Sequence, residues 1–446
     1  MNRRSFIKIS TITAGALMVM PNRLFASDIT KIVVIGGGVG GATVAKYLRK
    51  FMPQTALVEI KIIEPKEIYI TPFGINEVLT NTKTIEELTV DYKALEALVK
   101  TTIIHQKATE IDSSAKVITT EDGAKHPYDY CIVATGIDFE YSDIEGITKE
   151  NNHLVPHAYD FNQTAQEITE LKTQLQNMTD GATVAIVAPK NSYRCPPAPY
   201  ERASQIAEFL TEHKPNSKVI ILDPKSSFAK QDSFEKAWEE LYGYKTTNAK
   251  IEYKSETITQ KIEIDGNNKT ITTDTGETIQ AEVVSYIPTM KASKLTYDAG
   301  LVQSGTGAFD MAKRWCPINH ETFESTMTGK EGIYIIGDSI RSNLPKSGYS
   351  ANSQAKACAI AITAKIKGLN PTPQSIITNG CYSFIAKDYA IFIFQKFKLN
   401  STKTDYELVP QSRGTSPLEA DASWRAKEAE QGHGWYWNFR GDCFGV

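Results

Sequence analysis

Three glycines with the spacing of a nucleotide-binding turn follow the first apolar run of the chain. Gly36, Gly38 and Gly41 match G-x-G-x-x-G between a β-branched run at 31–35 and a segment of helical composition at 42–50. Such a turn needs positive φ, close backbone approach to a pyrophosphate, and tight helix packing. Glu64, 28 residues after Gly36, ends the next apolar strand and would accept ribose hydroxyls. The pattern predicts a dinucleotide site.

Six cysteines are the next residues that could take part in chemistry, and they lie at positions 131, 195, 316, 358, 381 and 443. None lies in a C-x-x-C or C-x-x-C-H motif, which excludes a zinc ribbon and an attached haem. His153 and His157 are separated by a segment containing Pro156, which breaks the helix that ligation at i and i+4 would need. We therefore predict no metal. No G-x-S-x-G nucleophile elbow occurs either.

A second strand-turn-helix pattern starts at Thr183 and continues through a helix at 204–213 to a strand at 218–222. Its turn, 188–197, reads APKNSYRCPP and has no glycine where a pyridine-nucleotide site would need one. Bulky residues and prolines there obstruct a pyrophosphate. An NADH or NADPH reductase is therefore disfavoured.

Two later motifs suggest the identity of the dinucleotide. A strand at 128–133 is followed by Thr135 and Gly136, and a strand at 333–336 is followed by Gly337 and Asp338. With the early glycine turn, they resemble the two-dinucleotide-binding-domain flavoproteins, which implies FAD. In that family the aspartate contacts the ribityl chain, and the next helix, here about 351–367, directs its positive N-terminus at the flavin, favouring its reduced, anionic form.

The elements predict an α/β fold with two Rossmann-like dinucleotide-binding-type domains, glutathione-reductase-like, plus a C-terminal α+β interface domain. Hairpin signals at Gly266-Asn267 and 274–276 belong to the second domain. The predicted boundaries are 27–150 with 290–370 for the FAD-binding domain, 151–289 for the second domain, and 371–446 for the C-terminal domain.

Composition and the N-terminus limit the function classes. The 446 residues carry 49 basic and 52 acidic side chains, which gives a net charge of −3. This charge provides no positive electrostatic field to attract nucleic acid, so a nucleic-acid-binding function is disfavoured. Outside the N-terminus no run of 18 apolar residues predicts a transmembrane span. Residues 1–26, with Arg3-Arg4 before an uncharged stretch, are typical of a twin-arginine export signal, rather than a short buried helix or anchor. We expect a periplasmic protein.

Three further segments resemble a known family. They are CPPAPYERA at 195–203, PKSGYSAN at 345–352 and NGCYS at 379–383. They are similar to the flavoprotein subunit of flavocytochrome c sulfide dehydrogenase, which is related to sulfide:quinone oxidoreductase. The resemblance implies that Cys195 and Cys381 form a redox-active disulfide over the flavin. It also implies that Glu201 accepts a proton while sulfide is oxidised to sulfur or polysulfide.

The resemblance names a haem-bearing c-type cytochrome subunit as the electron acceptor. Aromatic residues near the C-terminus would either pack against that partner or form ordinary core and dimer contacts: Trp424, Trp435, Tyr436 and Trp437. One departure concerns the flavin. Pro72 stands where several relatives carry a flavin-linking cysteine, so FAD is predicted to be noncovalent.

The residues leave alternative roles open for the two cysteines, for Glu201 and for the protein as a whole. Cys195 and Cys381 would each be structural cysteines, as we favour for Cys131 and Cys358, and Glu201 would be a surface carboxylate at a helix start. A separate alternative is a noncatalytic flavin-bearing subunit of a sulfur-oxidation complex, whose disulfide serves in thiol exchange. A sulfide:quinone oxidoreductase, with the same cysteine chemistry and a quinone acceptor, is the other alternative.

Overall fold

The computed structural model describes residues 29–159, 163–303, 311–370 and 376–446. The predicted export signal, 1–26, lies outside these residues. The strands are β1 (Thr30–Ile35), β2 (Val58–Ile63), β3 (Ile68–Ile70), β4 (Thr89–Asp91), β5 (Ile103–Ile104), β6 (Ala108–Asp112), β7 (Val117–Thr120), β8 (Lys125–Pro127), β9 (Tyr130–Val133), β10 (Ile137–Glu140), β11 (Thr183–Val187), β12 (Lys218–Leu222), β13 (Ile251–Lys254), β14 (Thr259–Asp265), β15 (Asn268–Thr273), β16 (Thr278–Ala281), β17 (Val283–Tyr286), β18 (Thr289–Ala292), β19 (Ile333–Ile335), β20 (Ile377–Ala386), β21 (Tyr389–Leu399), β22 (Tyr406–Leu408) and β23 (Gly414–Thr415).

The α-helices are α1 (Val39–Phe51), α2 (Ile85–Leu88), α3 (Lys93–Val99), α4 (Gln166–Asn177), α5 (Ala198–His213), α6 (Gln231–Tyr242), α7 (Lys294–Asp298), α8 (Met311–Arg314), α9 (Gly348–Ile366) and α10 (Ala422–Phe444). Short 3-10 helices cover Ile75–Val78, Asn152–Leu154 and Gly337–Ser339.

The first sheet is parallel, in the order β19-β9-β1-β2-β5. Its central strand β1 is buried from Ile32 to Ile35, as expected for a parallel strand covered on both faces. Helices α1 and α9 pack against each other and share the core of this sheet. Because β19 comes from a segment some 200 residues after β9, the first domain is built from two separate parts of the chain.

The second sheet is also parallel, in the order β13-β12-β11-β17. An antiparallel sheet of β14, β15 and β16 follows, with Gly266 in the left-handed region (φ 58°) at its first turn. Where the chain leaves and re-enters the first domain, β10 and β18 pair as an antiparallel ribbon. The two parallel sheets confirm the predicted α/β class with two Rossmann-like domains.

The C-terminal part is an antiparallel sheet of β20, β21, β22 and β23 covered by α10. The sequence predicted a C-terminal α+β domain here but located no individual helix in it, because three glycines interrupt the helical pattern. Gly432 is needed for packing, since a Cβ there would lie 2.7 Å from the ring of Phe384. The helix is capped by the Asp421 carboxylate, which accepts from the Trp424 amide at 2.8 Å, and it ends at Gly445 with φ 87°.

Among the described residues, no helix is both long and apolar enough to cross a membrane.

Candidate functional site

The glycine turn at the start of α1 has the geometry that the sequence predicted. Gly36 adopts φ 101°, and a Cβ there would lie 2.6 Å from the carbonyl oxygen of Ala134. A Cβ on Gly41 would lie 1.8 Å from the carbonyl oxygen of Gly36. Gly38 is the N-cap of α1 and supplies no capping side chain, so the first-turn amides stay available to an anion.

Glu64 lies against this turn. It is 8% exposed at the end of β2, and its carboxylate accepts from the Gly37 amide at 2.6 Å and from the Lys66 amide at 3.0 Å. The carboxyl ends of β1 and β2 meet at this edge, where parallel sheets bind ligands. The structure therefore brings Glu64 and the three glycines together.

The two later motifs meet at the same edge because β9 and β19 are neighbours. The Thr135 hydroxyl is 2.7 Å from that of Ser293, and the Ser339 hydroxyl donates to the Gly136 carbonyl. The Gly337 amide donates to Gln354 of α9 at 2.7 Å. Asp338 is 9% exposed and faces Arg194.

Arg194 was not predicted as a functional residue. Its Nε donates to the Asp338 carboxylate at 2.8 Å, so the turn before α5 is attached to the motif after β19. The neighbouring Cys195 amide donates to the Lys346 carbonyl at 2.7 Å, and Cys195 itself has φ 55°. Lys346 Nζ donates to the Asp338 carbonyl at 2.6 Å, and burial lowers the pKa of Lys346 to about 7. Cys195 is thereby fixed to the loop that carries Asp338.

Helix α5 begins at Ala198, six residues earlier than the sequence predicted. Pro197 is its N-cap and Pro199 lies in its first turn, where proline is tolerated because no intrahelical amide is lost. The helix packs on β20, and Gln205 donates to the Phe384 carbonyl at 3.0 Å. This packing brings Cys195 and Cys381 together, although they are 186 residues apart.

Both cysteines are free thiols in the structure and are partly accessible, whereas the other four are buried. Burial raises the pKa of Cys195 well above the usual thiol value, and the charge of Cys381 raises it further. Burial also raises the pKa of Cys381, but Lys230 opposes that rise. The two thiols therefore lie in unlike electrostatic surroundings, although both are partly accessible.

Glu201 lies in the first turn of α5 and is 7% exposed, so the interpretation as a surface carboxylate is wrong. Asn76 donates to its carboxylate at 3.5 Å. Burial raises the pKa of Glu201 to about 7, while Lys230, Ser383, Asn76 and Arg202 oppose the rise. A carboxyl with this pKa can accept and release a proton near neutrality.

Lys230 and Ser383 complete the cluster, and neither was predicted from the sequence as a site residue. Lys230 Nζ donates to the Ser383 hydroxyl at 2.7 Å; the two side chains are 4% and 0% exposed. Ser383 is two residues after Cys381 on β20, so both side chains point to one face of the strand, a signal that the sequence contained. Lys230 lies in no motif and had no such signal.

The corresponding edge of the second sheet offers little room. A cavity of 240 Å³ lies between Val187, Pro189, Pro224 and Tyr286. Ligand pockets usually hold about 300–1,000 Å³. The absence of a pyridine-nucleotide site from this domain stays a prediction.

The aromatic residues of α10 fall into two groups. Tyr436 is buried and its hydroxyl is 3.0 Å from both the Thr71 hydroxyl and the Glu87 carbonyl oxygen. Trp435 stacks on Phe439 with ring centroids 5.1 Å apart. Trp424 and Trp437 are 50% and 48% exposed. Core packing therefore accounts for Trp435 and Tyr436, whereas Trp424 and Trp437 are half exposed.

Pro72 and His157 were singled out in the sequence for a missing flavin link and a missing metal site. Pro72 is half-buried after β3, and a proline side chain offers no thiol to a flavin. His157 is buried against Glu167, whose carboxylate is 2.6 Å from Nδ1. In the part of the chain that the structure describes, no group of three or more His, Cys, Asp or Glu side chains could hold a metal ion.

Three family models match the chain. Residues 30–187 match the pyridine nucleotide-disulphide oxidoreductase family. Residues 168–288 match the central region of the sulfide dehydrogenase (flavocytochrome c) flavoprotein chain. Residues 373–444 match the flavin-binding region of flavocytochrome c sulphide dehydrogenase.

Known proteins agree with these matches. The sulfide dehydrogenase (flavocytochrome c) flavoprotein chain of Chlorobaculum thiosulfatiphilum is 48% identical over 45 residues, 10% of this chain and 88% of that sequence. The mitochondrial sulfide:quinone oxidoreductase of Dictyostelium discoideum is 24% identical over 338 residues, 74% of this chain and 69% of that one. The X-ray structure of the sulfide:quinone oxidoreductase of Aquifex aeolicus superimposes with a TM-score of 0.68 at 20% identity, covering 94% of this chain and 93% of the other.

The residues present fit FAD. The glycine turn leaves space that any Cβ on Gly36 or Gly41 would remove, the first amides of α1 lack a side-chain cap, and Glu64 and Asp338 lie at the same sheet edge. Together with the flavin-binding family model, this confirms FAD as the cofactor. Its noncovalent attachment stays a prediction. In fold, in cofactor and in the family models matched along its length, the chain belongs to the flavocytochrome c sulfide dehydrogenase flavoprotein family.

Proposed function

We propose that this protein oxidises sulfide with FAD and a redox-active Cys195–Cys381 disulfide, and passes the electrons to a c-type cytochrome. The observation that carries the proposal is the packing of α5 on β20, which gathers Cys195, Cys381 and Glu201 from distant parts of the chain. The names of the relatives, sulfide dehydrogenase and sulfide:quinone oxidoreductase, supply the substrate.

The chemistry assigned to the residues is thiol–disulfide exchange. Hydrosulfide attacks one sulfur of the disulfide, a persulfide forms on that cysteine, and the other cysteine leaves as a thiolate. Glu201, with its pKa near 7, takes the proton that sulfur must lose. When bound, FAD supplies the two-electron acceptor. Glu64, Asp338 and the turn of Gly36, Gly38 and Gly41 would hold it.

The partner and location belong to the same proposal. The exposed Trp424 and Trp437 are the positions we assign to contact with the cytochrome. We also propose that residues 1–26 direct export by the twin-arginine route to the periplasm. Replacing Arg3 and Arg4 by lysine should leave the precursor in the cytoplasm, as measured by fractionation and by the mass of the N-terminal peptide.

The experiment is an anaerobic titration of the flavin absorbance with sulfide. We expect bleaching in the parent, its loss in Cys195→Ser and Cys381→Ser, and its retention in Cys358→Ser, whose thiol is buried in α9 away from the site. Added cytochrome c should then be reduced by the parent protein. A flavin that sulfide leaves oxidised would overturn the proposal and favour the noncatalytic subunit.

The acceptor is decided in the same experiment. The match to a mitochondrial sulfide:quinone oxidoreductase makes quinone the competing acceptor. Reoxidation by a soluble quinone analogue, with cytochrome c inactive, would assign the chain to that chemistry instead.

A further inference from the structure

Lys230 is a buried cation beside the two cysteines, and the proposed exchange chemistry assigns it no role. It is the N-cap of α6 with φ 65°, a conformation uncommon for residues other than glycine, and it is 4% exposed. Its Nζ donates to Ser383 at 2.7 Å, and its ammonium lies 5.7 Å from the ring centroid of Phe234. A charge held this deep requires compensating partners.

The acidic groups that face Lys230 come from three packed elements. Cys381 lies on β20, Glu201 and Cys195 lie on α5 and the turn before it, and Glu428 lies on α10. Glu428 is already paired with the buried Arg425 at 3.1 Å. Glu201 and the cysteines are therefore the groups that compete for the Lys230 charge.

Lys230 does not stabilise the thiolates of the two cysteines equally. Cys381 and Ser383 project from the same face of β20, and Ser383 is the hydrogen-bond partner of Lys230. Lys230 is the strongest influence that favours a Cys381 thiolate, and hydrogen bonding to Ser383 adds to it. At Cys195 the negative charges of Cys381 and Glu201 both outweigh Lys230.

In thiol–disulfide exchange, the sulfur whose thiolate is better stabilised leaves faster. We propose that Lys230, acting with Ser383, makes Cys381 the sulfur that leaves as a thiolate, so that the incoming sulfur bonds to Cys195. Lys230 is a positioning residue in this scheme, which rests on the proposed function.

The attack of hydrosulfide on the disulfide breaks one bond and forms one. The bond between the two Sγ atoms breaks, and a new bond forms between the sulfur of HS⁻ and Sγ of Cys195. The disulfide is reduced by two electrons, with the sulfur of sulfide as their source. The proton of HS⁻ passes to Glu201, and the negative charge on Cys381 is compensated by Lys230. As the thiolate forms, Lys230 exchanges one anionic partner, Glu201, for another.

The first test needs no sulfide. The FAD-loaded protein is reduced, and alkylation of each cysteine by iodoacetamide is followed against pH by peptide mass spectrometry. We expect Cys381 to react at lower pH than Cys195 in the parent. Lys230→Met should slow Cys381 about tenfold at pH 7, because a tenfold loss accompanies each unit by which the thiol pKa rises. Lys230→Arg should retain the parent profile.

Two variants keep the test interpretable. Lys236→Met, on the same helix but at a partly exposed position where the lysine pairs with Glu240, should leave the Cys381 profile unchanged. Ser383→Ala keeps the lysine but removes its hydrogen-bond partner, so it tests the idea even if Lys230→Met fails to fold. A Cys381 profile that neither Lys230→Met nor Ser383→Ala shifts would overturn the inference.

The second test locates the new sulfur. A brief pulse of sulfide, quenched with iodoacetamide, should add one sulfur to the peptide of Cys195. Bleached flavin with the added sulfur on Cys381 would overturn this inference while leaving the proposed function intact. Unbleached flavin with no added sulfur on either cysteine would overturn the proposed function itself.

Discussion

Arg194 donates a hydrogen bond from Nε to the carboxylate of Asp338 at 2.8 Å, across 144 residues of sequence. The bond joins the turn that carries Cys195 to the motif that the flavoprotein resemblance assigns to the ribityl chain. A displacement of one side is therefore transmitted to the other through a charge-assisted bond. Cys195 and the cofactor site are parts of one connected structure.

Arg194→Met should destabilise the protein and weaken FAD binding. The substitution leaves Asp338 buried without its cation, which costs roughly 1–3 kcal/mol of unfolding free energy. Urea unfolding and a titration of the apoprotein with FAD measure the two effects. Breaking the more exposed Lys291–Glu140 pair with Lys291→Met should cost at most about 1 kcal/mol. Equal losses in the two variants would contradict a special role for Arg194.

Gly41→Ala should prevent FAD binding. Its Cβ would lie 1.8 Å from the Gly36 carbonyl oxygen, so the turn and α1 must separate. The fraction of purified protein that carries flavin measures this. Gly434→Ala is the matched control, because nothing lies within 4 Å of its Cβ in α10. Alanine there should stabilise the helix by about 1 kcal/mol. Normal flavin content in Gly41→Ala would contradict the prediction that the glycine turn binds FAD.

Much of the fold and the cofactor site could be predicted because their signals are local. The turn of Gly36, Gly38 and Gly41 is encoded by spacing, and the strand at Lys218–Leu222 has the predicted bounds. Parallel strands then bring their carboxyl ends to one edge without further information, which places Glu64 and Asp338 near the turn.

The rest of the site depends on packing between distant segments. The predicted pairing of Cys195 with Cys381 came from family resemblance and not from periodicity, and it stays a prediction. Arg194, Lys230 and Ser383 take their roles from the contact of α5 with β20 and the loop before α6. Helix α10 was not located within the predicted C-terminal domain because its glycines lower helix propensity, and the close packing that requires Gly432 is visible only in three dimensions.

Glu77→Gln should make the stability of the protein less dependent on pH. Glu77 is 1% exposed, neither carboxylate oxygen has a hydrogen-bond partner, and burial raises its pKa from 4.5 to about 8. Lys83 opposes that rise, while Glu201, Glu87 and Glu208 add to it. Nδ1 of His433, at 3.8 Å, is a further neighbour.

The sign follows from proton binding. Between pH 4.5 and 8 the folded protein holds a proton on Glu77 that the unfolded chain releases, so stability falls as the pH rises. From pH 5.5 to 8 this loss is on the order of 2–4 kcal/mol, which Glu77→Gln should remove. Urea unfolding at both pH values measures it, with exposed Glu86→Gln as the control. An unchanged slope in Glu77→Gln would show that Glu77 is ionised in the folded protein.

Glu201→Gln should abolish the rise with pH in the rate at which sulfide reduces the flavin. As a proton acceptor, Glu201 acts when deprotonated, so with its pKa near 7 the rate in the parent should rise through pH 7 and level off above it. The rates are compared by stopped flow at one fixed concentration of HS⁻ at every pH, so that ionisation of the substrate cancels. Loss of the acceptor should slow reduction by about 10²–10⁴-fold above pH 7.

Glu208→Gln is the matched control for Glu201, because Glu208 lies two turns further along α5 and its carboxylate accepts from the Lys387 amide instead of facing the cysteines. Its profile should keep the rise through pH 7. Glu201→Asp should restore part of the rate, since it returns a carboxyl group to the cluster at shorter reach. A rise through pH 7 that persists in Glu201→Gln would assign proton acceptance to another group.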